Sequence, residues 1–107
     1  MRYRYYDLGD QQENAQVVAR LRGSAANVIL LDPLNFRRYR LGQPFLYVGG
    51  HFWRSPVRLQ IPEDGHWYLV IDHGGYKGRA SAEIEVVAPD ESRPAPLRDT
   101  TLVEAAA

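Results

Sequence analysis

Residues 55–72 read SPVRLQIPEDGHWYLVID, and the architecture turns on how they alternate. In the first half Val57, Leu59 and Ile61 alternate with Arg58 and Gln60, the period-two pattern of a strand with one face toward a core. The PEDG that follows places a proline and then Asp64-Gly65 between two alternating runs, which predicts a turn joining a strand to its returning neighbour. In the second half Trp67, Leu69 and Ile71 form one face, and His66, Tyr68 and Val70 the other. Both faces are largely apolar, so this strand is expected at the centre of a sheet covered on both sides.

The same alternation recurs along the chain. RYRYYDL sets Tyr3 and Tyr5 on one face and Arg2 and Arg4 on the other, and the polar GDQQENA after it reads as a loop. AQVVARLRG aligns Val17, Ala19 and Leu21 against Arg20 and Arg22, and Gly23 ends it. NVILLD is wholly apolar before its aspartate and short enough for a buried strand. DPLNFRRYRLG then predicts one short helix or 3₁₀ turn near 33–41, with Asp32 as N-cap, Pro33 in the first turn and Gly42 closing the far end. Phe36 and Tyr39 would face the same way. PFLYVGG reads as a short strand running into a diglycine, and RASAEIEVV as a strand with Ala82, Ile84 and Val86 inward and Glu83 and Glu85 outward. About seven short strands with Gly/Pro punctuation predict an all-β fold, a compact sandwich or partly open barrel of mainly antiparallel strands. Residues 1–87 are expected to form this single β domain. APDESRPAPLRDTTLVEAAA, residues 88–107, has three prolines and no sustained period, and reads as a flexible tail.

Composition narrows the function classes. The 107 residues carry a formal net charge of zero, which gives no global pull toward nucleic acid or acidic membranes. The chain has no cysteine, excluding disulfides, thiol nucleophiles and Cys-based zinc sites. No apolar run approaches the ~20 residues that span a bilayer, and strand-like alternation from the first residues leaves no apolar signal region. The expectation is a soluble, cytoplasmic protein.

Taken in order, AANVILLD, NF, YRLG, YVGG, SPVRLQIP and GHWYLVIDHGGYKGR resemble a small bacterial family, domain of unknown function 1883, over roughly Tyr3 to Val87. The resemblance implies a compact, mostly β domain and no particular activity. Some members of that family carry the domain beside a TIR-type domain, a class associated with NAD cleavage and immune signalling. This implies an accessory or sensing role, and it also raises turnover of a nucleotide such as NAD, which is not expected of this chain.

Candidate chemistry concentrates in DHGGYKGR, residues 72–79. Gly74-Gly75 follows His73 there, and Gly49-Gly50 precedes His51. Two glycine pairs are most simply tight strand ends, where positive φ or a close backbone approach is needed. If the two loops meet, they would form one recognition surface for a protein partner or small ligand, made of His51, Trp53, Asp72, His73, Tyr76, Lys77 and Arg79. GGYKG lacks the spacing of a phosphate-binding loop and any following helix. Asp72 and His73 are adjacent and point to opposite faces of a strand, and no H-x-x-x-H or H-x-H spacing exists, so no metal or other cofactor is expected. None of Ser24, Ser55, Ser81 and Ser92 lies in G-x-S-x-G, and Glu63/Asp64 and Glu83/Glu85 read as a turn and a solvated strand face. With no nucleophile–base pair, the expected role is non-catalytic binding. Phe52 and Trp53 are consecutive, so one is expected to be exposed.

The alternative is nucleic-acid or nucleotide binding. Between Asp32 and Glu63 there is no acidic residue, but Arg37, Arg38, Arg40, Arg54 and Arg58 occur among Phe36, Tyr39, Phe45, Tyr47, Phe52 and Trp53. Arginine with exposed aromatics suits stacked bases and phosphate. The plainer reading is that the aromatics fill the core and the arginines are solvated or pair with the acidic C-terminal half.

Overall fold

The computed structural model of the chain describes residues 3–73 and 80–89. Seven strands and one helix follow in order: β1 (Tyr3–Gln11), β2 (Gln16–Gly23), β3 (Ala26–Leu31), α1 (Pro33–Arg40), β4 (Val48–Phe52), β5 (Val57–Gln60), β6 (Gly65–Asp72) and β7 (Ala80–Val87). They form two antiparallel sheets, β1-β6-β3-β4 and β5-β2-β7. The fold is a compact, open sandwich with α1 laid on the outer face of the four-stranded sheet.

The alternation in the sequence becomes the core. Val17, Ala19, Val57, Leu59 and Ile61 from one sheet meet Val28, Leu30, Trp67, Leu69 and Ile71 from the other. A second cluster lies on the opposite face of the four-stranded sheet, where Ile29, Leu31 and Val70 pack beneath Phe36 and Tyr39 of α1. The strands β3 and β6 are therefore covered on both sides, and their apolar runs need no polar face. The helix forms as its sequence predicts. Asp32 Oδ1 accepts from the Asn35 backbone N–H at 2.8 Å, Pro33 opens the first turn, and Gly42 follows the last turn with φ +72°.

Three local expectations are corrected. The PEDG turn does not return the chain beside β5. It carries it from one sheet to the other, since β5 pairs with β2 while β6 pairs with β1 and β3. A strand with two apolar faces requires neighbours on both edges and cover on both sides, and β5 with one apolar face suits an edge. The crossing is held against the β1–β2 connection: Asn14 N–H donates to the Ile61 carbonyl, Ile61 N–H to the Ala15 carbonyl, and Glu13 N–H to Asp64 Oδ1. The polar residues Gly9–Gln11 belong to β1 rather than to a loop, with a bulge between Asp7 and Gly9. Residues 43–47 are not strand. Leu46 N–H donates to Asn35 Oδ1 at 2.8 Å and the Phe45 ring meets Tyr39 edge-on, so this segment is bound to the helix. The proposed tail from residue 90 onward and residues 74–79 lie outside the described residues.

Candidate functional site

The diglycine at 49–50 is part of a strand. Gly49 and Gly50 lie within β4, opposite Ile29 and Val28. At Gly49, φ is +130° and a Cβ would stand 2.1 Å from the Val28 carbonyl oxygen, so only glycine lets β4 come this close to β3. The reading of Gly49-Gly50 as a loop that meets a second glycine loop is thereby replaced on one side by a strand edge. Gly74-Gly75, with Tyr76, Lys77 and Arg79, lies outside the described residues.

The strand register then assembles a row of polar side chains across the helix-covered face. Tyr3 pairs with Asp72, Asp72 with Asn27, and Asn27 with His51, one residue from each of β1, β6, β3 and β4. Asp72 is only 4% exposed. Its carboxylate accepts the Tyr39 hydroxyl on Oδ2 at 2.5 Å and the Asn27 amide on Oδ1 at 2.8 Å. A buried carboxylate is tolerated where donors meet it, and the Tyr39 hydroxyl and the Asn27 amide are among those that meet this one. Burial raises the Tyr39 phenol well above its ordinary pKa, and the bond to Asp72 and its charge add to that. Tyr3 closes the row by meeting Tyr39 edge-on at 5.2 Å.

This arrangement orients His51. Asn27 turns its NH₂ to the carboxylate, so its Oδ1 is the atom that faces His51 Nδ1 at 3.0 Å. A carbonyl oxygen only accepts, hence Nδ1 carries the proton and Nε2 is left to accept or to be protonated. Trp53 follows with its ring 6.0 Å from the imidazole and 72% of its surface exposed. Phe52 is the inward member of that aromatic pair, packed against the inner core.

Of the residues expected at the site, His51, Trp53 and Asp72 are thus gathered on one side of the four-stranded sheet. His73 is turned away, its Nδ1 donating to the Ala25 carbonyl at 2.9 Å. Asn27 and Tyr39 are essential to the network and were not among the candidates. A lone asparagine opening an apolar run was the available signal for Asn27. Tyr39 reads as a core aromatic, which it also is.

The five arginines do not share a surface. Arg37, Arg38 and Arg40 are exposed on α1, above the four-stranded sheet. Arg58 faces outward on β5 of the other sheet, opposite Val18, and Arg54 lies in the connection between β4 and β5. Arg40 stands over the Phe36 ring at 5.5 Å, and Phe36 is itself buried against Tyr68 and Tyr5. The acids of β7 are met by other arginines, Arg22 to Glu83 at 3.0 Å and Arg20 to Glu85 at 3.9 Å.

A second polar group sits farther along the same outer face. His66 Nε2 lies 2.6 Å from Asp7 Oδ1 and its Nδ1 3.7 Å from Asp10. The Gly9 N–H, donated to Asp7 Oδ1 at 2.9 Å, does most to lower the Asp7 pKa below its ordinary value, and His66 adds to the effect. Among the described residues, no group of three or more His, Cys, Asp or Glu side chains is placed to hold a metal ion, and no helix is long and apolar enough to cross a membrane.

Comparison with known families matches residues 1–90 to the family described as domain of unknown function (DUF1883), and the chain belongs to that family. No curated protein and no solved structure matches it.

Proposed function

We propose that this member of the family is a non-catalytic interaction module that recognises a protein through the β4 side of its four-stranded sheet. The observation that carries the reading is the pairing of His51 and Trp53. A large indole is left 72% exposed, beside an imidazole held in one orientation through Asn27 and a buried carboxylate. An aromatic anchor on a rigid support loses little conformational freedom on binding, which suits a recognition contact. The polar groups beneath are engaged with one another, as expected of a brace. In relatives that carry a TIR-type domain, the same face would serve as the sensing half, and a cytoplasmic location agrees with that role.

The test is a photo-crosslinking amino acid placed at position 53 in cells, with position 58 on the opposite sheet as the control. A discrete protein adduct from 53 that is missing from 58, and lost with His51→Ala, supports the reading. Equal adducts from both positions, or none, overturn it, and turnover of NAD by the pure chain would overturn its non-catalytic part.

A second reading draws on Arg37, Arg38 and Arg40, all exposed on one short helix. Single-stranded nucleic acid held there would bind with an affinity that falls steeply with salt. Absence of binding at low ionic strength removes that reading.

A further inference from the structure

The edges of the two sheets differ in how they are protected. An open strand edge offers unpaired N–H and C=O groups, and β proteins blunt it with charge, proline, a bulge or short length. β1 carries Arg4, Asp7 and Asp10 and the bulge before Gly9. β5 has four residues, one of them Arg58, and β7 presents Glu83 and Glu85. β4 is only one residue longer than β5 and carries none of the other devices. It reads VGGHF, with no acid, no lysine or arginine and no proline. One of its edges pairs with β3, and the other has no strand partner among the described residues.

Large exposed side chains flank this edge. Leu46 is 76% exposed and Tyr47 53% on one side, and Trp53 is 72% exposed on the other. The stretch that includes them, YVGGHFW at 47–53, is matched about Gly50 at two of its three pairs, aromatic with aromatic and apolar with apolar, and departs from that only at Gly49 and His51. Tyr47 and Trp53 are the outer aromatics, Val48 and Phe52 the apolar residues within them, and Gly50 the centre. In an antiparallel pair of two such strands with Gly50 opposite Gly50, Val48 meets Phe52 and Tyr47 meets Trp53 of the other copy. Gly49, with no side chain, stands opposite His51 and leaves room for the imidazole. Val48 and Phe52 already pack at the margin of the inner core, so their pairing would extend that core across the junction.

We propose that β4 is a self-association edge, along which a second copy of this chain pairs antiparallel about Gly50 and continues the four-stranded sheet into its twin. The proposal rests on the reading of the β4 side as an interaction face and names that face's partner. A two-fold contact of this kind is isologous, each copy offering the same strand, and it removes the unprotected edge from both.

The test is sedimentation equilibrium of the full chain from micromolar to millimolar concentration. The expected mass rises from 12.2 kDa toward twice that value. The double variant Tyr47→Lys/Trp53→Lys sets lysine opposite lysine at both ends of the pairing. It should weaken association by about tenfold or more, since like charges directly across strands repel. Tyr47→Lys/Trp53→Glu sets lysine opposite glutamate in the same register and should restore it. Both pairs replace exposed side chains, and an unchanged urea midpoint at concentrations too low for association verifies that the fold is retained. A chain that stays monomeric throughout overturns the proposal, as does a dimer indifferent to both variants. A monomer whose position-53 crosslinker still captures a different protein overturns self-association alone and leaves the interaction reading in place. A monomer with no adduct overturns both.

Discussion

The Tyr39 hydroxyl donates to Oδ2 of Asp72 at 2.5 Å, joining the helix to the end of β6 across 33 residues of sequence. Asp72 is the hub of the candidate site, because Asn27 receives its orientation from the carboxylate and His51 receives its own from Asn27. The surface imidazole is thus tied to a buried phenol that it does not touch.

Tyr39→Phe keeps the ring that meets Tyr3 and Phe45 edge-on and removes only the donor. Leaving a buried carboxylate one bond short should cost about 1–3 kcal/mol in urea unfolding at neutral pH. The wild type also gains a specific pH dependence. The folded state holds the phenol above its ordinary value of 10.0, chiefly by burial, so the unfolded chain releases the proton first. That stabilisation is complete below about pH 10 and is lost as the pH rises further. Urea midpoints measured from pH 8 to 11 should fall more steeply for the wild type than for Tyr39→Phe.

The two glycines of β4 should respond oppositely to the same substitution. A Cβ at Gly49 meets the Val28 carbonyl oxygen at 2.1 Å in a positive-φ conformation, whereas one at Gly50 meets nothing within 4 Å. Gly49→Ala should destabilise the chain by about 3 kcal/mol or more, from backbone strain and displacement of β4 together. Gly50→Ala should stay within about 1 kcal/mol of wild type. Paired urea titrations of the two variants compare them directly.

At Asp7 the titration separates two causes. The Gly9 N–H is the larger source of its lowered pKa and His66 the smaller. In carboxyl-detected NMR, Asp7 should titrate below the usual aspartate range, and His66→Ala should move it only part of the way back. A group lowered by folding stabilises above its unfolded pKa and loses that contribution as the pH falls through the folded one. Complete return to the ordinary value in His66→Ala would show the histidine, not the turn, to be the main cause.

Asp32 caps the helix and also holds Asn35, whose amide nitrogen it accepts at 2.9 Å and whose Oδ1 accepts the Leu46 N–H. Asp32→Ala should therefore cost about 1–2 kcal/mol, toward the upper end for a lost N-cap. It should also speed hydrogen exchange at the Leu46 amide, which is outside the helix. An unchanged exchange rate at Leu46 would show that Asn35 holds the segment without help from the cap.

The residues that expose their role locally were readable in advance. Alternation placed Val57, Leu59 and Ile61 inward, the two apolar faces of β6 marked it as central, and the Asp32-Pro33 opening marked α1. One of the consecutive aromatics is exposed, as expected, and the structure decides that it is Trp53, with Phe52 inward. The PEDG turn misled, because a turn signal reports that the chain reverses and is silent on which strand lies beside it. The diglycine was read correctly as a place of positive φ or close backbone approach, which Gly49 is, but not as the loop that would meet a second glycine pair. Glycine marks a backbone need, and whether that need is a turn or the approach of β3 depends on a strand twenty residues earlier in the chain.

What the amino-acid order determined unaided was periodic or capped: where most of the strands lie, which faces are apolar, where α1 begins, and that the architecture is mostly β. These follow from interactions within a few residues, where side-chain direction is set by backbone geometry. Only the tertiary structure decided which strands pair, that Tyr3, Asp72, Asn27 and His51 fall in one row, and that β4 has no second strand partner among the described residues. Those relationships depend on register between distant strands, and register is chosen by burying both apolar faces of β3 and β6 at once, a requirement of the whole chain that no single segment expresses.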